Sequence, residues 1–120
     1  MGARAILLAA VALAVSVPAQ AQPAAPGPED DLRCAAWAAI VAGINKDDPE
    51  IATAFGMALA WFVARYEGAT GKPFEEAMTP EYINALAPEL ATIEQACRPR
   101  MQEMGARFTE WGAKLQATGQ

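Results

Sequence analysis

Apolar residues along this chain return every three or four positions, and nowhere do they alternate with period two long enough to propose a strand. From Asp31 to Ile44 the side chains of Trp37, Ile40, Val41 and Ile44 stand at i, i+3, i+4 and i+7, one stripe of a first helix. Cys34 lies one turn before Trp37 on nearly the same side, so its thiol is expected to point inward. Asp30 or Asp31 can accept hydrogen bonds from the free amides of the first turn, and their charge suits the positive end of the helix. Asn45-Lys46-Asp47 predicts the turn that follows.

The second helix carries start and stop signals. Asp48 suits an N-cap, Pro49 the first helical position and Glu50 the first turn, while Gly68 suits a left-handed C-cap. Between them Ile51, Phe55, Leu59, Phe62 and Tyr66 form the apolar stripe of a helix of about 19 residues, roughly 28 Å long. Ala69 to Met78 predicts a loop, with room for one turn at residues 73–76. Thr79-Pro80-Glu81 then repeats the start signal. Leu86, Leu90, Ile93, Cys97, Met101, Met104, Phe108, Trp111 and Leu115 continue the helical spacing. Pro88 and Pro99 interrupt it, because proline lacks an amide proton and clashes with the carbonyl four residues back. The expectation is therefore three segments, near 80–86, 88–97 and 99–117, the last two nearly coaxial with a kink at Pro99. The fold class is all-α: a small single-domain bundle of four to five helices.

The first 21 residues follow a different pattern. Arg4 precedes an uncharged run from Ile6 to Val17, Pro18 breaks it, and Ala19-Gln20-Ala21 places small residues before a cleavage point. That is the layout of a secretory signal peptide, and the run is shorter than the roughly 20 residues a membrane span needs. Residues 1–21 are assigned to the signal, 22–28 to a flexible leader rich in proline, and 29–120 to the helical domain. The expected location is the periplasm.

Composition narrows the chemistry. Without Arg4 the exported chain keeps 8 basic and 14 acidic residues, a net charge of −6. An acidic domain repels nucleic acid and anionic lipid, so neither is an expected partner, and no membrane association follows signal cleavage. There is no histidine, and the single serine, Ser16, leaves with the signal. Serine–histidine and cysteine–histidine catalysis and imidazole ligation of a metal are thereby excluded. Asp47, Asp48 and Glu50, like Glu75 and Glu76, lack the spacing of a calcium loop and suit capped or solvated helix ends. Gly68-Ala69-Thr70-Gly71-Lys72 lacks the spacing of a phosphate-binding loop and follows a helix instead of a strand. No enzyme, cofactor or metal is expected.

Two cysteines remain, Cys34 and Cys97. In an oxidising compartment such a pair reads as a disulfide, with two free thiols or an intermolecular bridge as the alternative. Glu29 to Glu50 holds six acids and two bases, whereas Arg98 to Gln120 holds four bases and two acids, so first and last helices can attract one another. Met101, Met104, Phe108 and Trp111 are the candidate surface for a client or partner, since methionine adapts to irregular apolar shapes. A core stripe is the competing reading of the same residues.

One cysteine in the first helix (Leu32-Arg33-Cys34), Thr79-Pro80 leading into Glu94-Gln95-Ala96-Cys97, and a C-terminal amphipathic stretch with Phe108, Glu110-Trp111 and Lys114-Leu115 resemble the periplasmic acid-stress chaperones of the Hde type. The loop between the cysteines is longer than in that family, and the C-terminal segment is less rich in lysine. The resemblance implies a protein that opens in acid and holds unfolding clients, with a homodimer at neutral pH. A second likeness, carried by Cys34, Trp37 and Gly43, is to periplasmic immunity proteins, and implies an inhibitor of a partner enzyme. With no histidine, any acid response must come from carboxylates. With all of them neutralised, below about pH 3, the exported chain would carry +8 in side-chain charge.

Overall fold

The computed structural model describes residues 25–119, so the expected signal peptide and most of the leader lie outside the described residues. Among the described residues there are five α-helices, one 3-10 turn and no strand, which is the all-α class expected. They are α1 (Pro28–Ile44), α2 (Pro49–Thr70), α3 (Phe74–Ala77), α4 (Pro80–Leu86) and α5 (Leu90–Ala117), with the 3-10 turn at Ala87–Glu89. None of these helices is long and apolar enough to cross a membrane.

Helix α1 starts three residues earlier than the apolar stripe indicates. Pro28 takes the first helical position, and the Asp30 carboxylate accepts a hydrogen bond from the Gly27 amide at 2.8 Å. Asp31 is not a cap: it lies inside the helix and is only 3% exposed. For α2 the start is as expected, with the Asp48 carboxylate accepting from the amides of Glu50 and Ile51, each at 3.2 Å.

The end of α2 is a correction. Gly68 stays helical, and the left-handed cap is Gly71 at φ 67°, whose amide bonds the Glu67 carbonyl at 2.8 Å. Thr70 extends the helix by donating its hydroxyl proton to the Tyr66 carbonyl, and the Glu67 carboxylate accepts the Phe74 amide that opens α3. Of these two glycines, only Gly71 needs positive φ. Gly71→Ala should therefore destabilise by about 1–2 kcal/mol, while Gly68→Ala should not, because a Cβ there meets open space. Denaturation midpoints check it; equal effects at the two sites would refute the assignment.

Pro99 also departs from expectation. Pro88 falls in the 3-10 turn, and α5 then runs unbroken for 28 residues with Pro99 inside it. The cost of the missing amide is met at the segment where α5 is tied to α1. Cys34 and Cys97 form the expected disulfide, with 5.4 Å between their Cα atoms.

The core sits between α1, α2 and the first half of α5. Trp37 and Phe62 are its largest fully buried side chains, and Trp37 meets Phe55 edge to face at 5.1 Å between centroids. Cys34, Ala58, Leu86, Ile93, Cys97 and Met104 complete the cluster. Alanine at 35, 36 and 38 lets α1 be covered closely. Tyr82, from α4, packs beside this core with its hydroxyl buried and, among the described residues, without a hydrogen-bond partner. Burial raises its phenol above the ordinary value; Glu29 adds to that and Arg33 opposes it.

Candidate protein-binding site

The direction of α5 follows from its two ties to α1. Cys97 joins Cys34, and Arg100, one turn later, pairs with Asp31, one turn earlier in α1. The two helices are thus antiparallel, and α5 passes the start of α1 soon after Met104. From Gly105 to Gly119 no described residue is buried. Helical residues 105–117 therefore extend for roughly 20 Å without a covering element among the described residues.

This geometry divides the four candidate surface residues. Met104 is buried in the core and Met101 is partly buried against it, so these two serve packing in the structure. Phe108 is 50% exposed and Trp111 is 64% exposed. They lie three residues apart on one side of the projecting helix, with half-buried Leu115 one turn further. Their flanks are charged, and Lys114 bridges Glu110 along the helix at 2.8 Å. Two large apolar side chains with a polar rim suit contact with another polypeptide.

The base of the projecting helix is held electrostatically as well as covalently. The Asp31 carboxylate receives the Arg65 Nε at 3.3 Å from α2 and the Arg100 guanidinium from α5. Arg100 also lies 5.0 Å over the Phe62 ring and places its Nη1 3.5 Å from Cys34 Sγ. One buried acid thus joins three helices. The charge imbalance between the ends of the sequence anticipates attraction between α1 and α5, but not that it converges on Asp31. A signal was present: Asp31 and Arg100 stand three residues outside the two cysteines, in opposite directions, as antiparallel helices require.

Beside the disulfide a groove of about 300 Å³ opens between the start of α1 and the start of α5. Asp30, Arg33, Glu89 and Thr92 line its mouth, and Ile93 and the bridge form its floor. Charges of both signs lie close together there, and neither cysteine sulfur is free. No group of three acids or cysteines that could hold a metal occurs among the described residues. No protein-family model matches the chain, and no curated protein or solved structure matches it either.

Proposed function

We propose that this chain is an exported, non-enzymatic protein that binds other polypeptides on the outer half of α5, and that in acid it holds unfolding clients there. The observation that carries the reading is the exposure of Phe108 and Trp111 on a helix whose base is stapled and ion-paired. A rigid base lowers the ordering cost of presenting two aromatic side chains to a partner. Acid adds a further effect: neutralising the carboxylates leaves the exported chain strongly cationic, which keeps a loaded chaperone from aggregating.

A second reading has an observation of its own. Phe108 and Trp111 stand outside before any opening occurs, which suits an inhibitor that captures one folded partner at neutral pH. Light scattering of an acid-labile client separates the two. Near pH 2.5 the wild type should suppress aggregation, and Phe108→Ser with Trp111→Ser should need several-fold more protein for the same effect. Equal protection by the double variant would dismiss the α5 surface. No protection by wild type would remove acid holding and leave the inhibitor reading.

A further inference from the structure

The groove beside the bridge is not used by the proposed client site, and the chain itself leads to it. Ile93, Ala96 and the Cys34–Cys97 bridge give it an apolar lining, and its volume of about 300 Å³ is that of a small ligand site. Pro26 forms part of the same lining. The stretch that enters α1 therefore leaves the domain at the edge of this groove. It leaves in a fixed direction as well. Gly27 is extended, at φ −95° and ψ −177°, and the Asp30 carboxylate holds its amide at 2.8 Å. Pro26 and Pro28 fix φ on either side of it.

The chemistry of the upstream residues suits the groove. The exported chain would begin Gln22-Pro23-Ala24-Ala25, with no charged side chain. Proline has no amide proton, so from Gln22 to Pro26 the backbone offers five carbonyls but only two peptide amides. Such a segment needs donors more than acceptors. The groove supplies the Arg33 guanidinium and the Thr92 hydroxyl as donors, with the Glu89 carboxylate to accept the amides. Lengths agree too. Four residues in a polyproline-type conformation span about 12 Å, and from Thr92 to Arg100, both lining the groove, α5 advances roughly 12 Å. Tethering decides the occupant. A segment joined to the wall of the groove is present there at an effective concentration on the order of millimolar, ahead of a free ligand at lower concentration. We infer that residues 22–25 lie in this groove as an extended segment over the Cys34–Cys97 bridge, and that they shield the bridge from thiols. The inference rests on the reading of the chain as exported, which makes Gln22 the first residue, and it is independent of client binding on α5.

The exported chain 22–120 tests it against a chain shortened to begin at Pro26, which keeps every described helix. In nuclear Overhauser spectra of the longer chain, the methyl groups of Ala24 and Ala25 should contact Thr92 and Ile93. At neutral pH dithiothreitol should reduce its bridge at least about threefold more slowly than that of the shorter chain, because exchange requires access to a sulfur. Ala96 is exposed on α5, so Ala96→Lys should leave the fold intact while occupying the groove. In the longer chain it should abolish the Overhauser contacts and raise the reduction rate to that of the shorter chain. In the shorter chain the same substitution should change the rate by less than about twofold, since no segment remains to be displaced. Absence of contacts from Ala24 and Ala25 to the groove overturns the inference, as do equal reduction rates in the two chains. Protection that survives Ala96→Lys places the segment elsewhere and overturns it as well. Intact mass of the protein recovered after export checks the start at Gln22 separately. A different first residue refutes that reading, whereas missing contacts in 22–120 refute the docking.

Discussion

Replacing both Cys34 and Cys97 by serine should lower the stability of the folded domain by about 2–5 kcal/mol, the usual loss for a small disulfide-bonded domain. The bridge spans 63 residues of sequence. For a loop of that length the chain-entropy account gives about 4 kcal/mol, against a total stability of about 5–15 kcal/mol for a domain. The structure adds where the loss appears first. Helix α5 reaches the core through Ile93, Cys97 and Met104, and its outer half has no buried residue. Helices α1 and α2, by contrast, share Trp37, Phe55, Ala58 and Phe62 along their length. Without the bridge, amide exchange should accelerate in α5 well before α1 and α2. A wild-type denaturation midpoint in the double variant would show that helix packing alone holds α5. Uniform acceleration across all helices would refute the order of loss.

The helical class, the start of α2 at Asp48 and the start of α4 at Thr79 are legible in the sequence because local chemistry decides them. A side chain that accepts an amide proton two or three residues on, followed by proline, acts over one turn. The end of α2 is not decided so locally. Gly68 and Gly71 are equally suited to a left-handed cap, and the contacts of Thr70 and Glu67 with Tyr66 and Phe74 choose between them. Pro99 illustrates the same limit. Alone it argues for two helices, but one lost hydrogen bond is a smaller cost than undocking a segment fixed by Cys97 and Arg100.

The candidate surface was half legible for a related reason. Helical spacing places Met101, Met104, Phe108 and Trp111 on one stripe, but it cannot say where along the stripe the covering helices stop. That depends on the antiparallel register of α5 on α1, which leaves Met104 inside and Phe108 outside.

Asp31→Ala should be the most damaging single substitution of a charged residue, at about 3–5 kcal/mol, the range for breaking a buried ion pair by removing one partner. The Asp31 side chain is 4% exposed and that of Arg100 is 14% exposed, so the alanine variant leaves a guanidinium nearly out of water beside Phe62 and Cys34 Sγ. Arg65 is the control. Its side chain is 42% exposed and lies 5.1 Å over the Trp61 ring, so water can screen it when Asp31 is gone. Arg65→Ala should cost only about 1 kcal/mol, from a weak exposed pair and some lost stacking. Removing both members of the buried pair is gentler than removing the acid alone. Asp31→Ala with Arg100→Met should recover about 2 kcal/mol of the loss, since no uncompensated charge remains and methionine fills much of the space. Urea midpoints of the four proteins at neutral pH measure these differences. If Asp31→Ala falls within about 0.5 kcal/mol of wild type, or Arg65→Ala is as costly, the three-helix junction at Asp31 does not anchor α5.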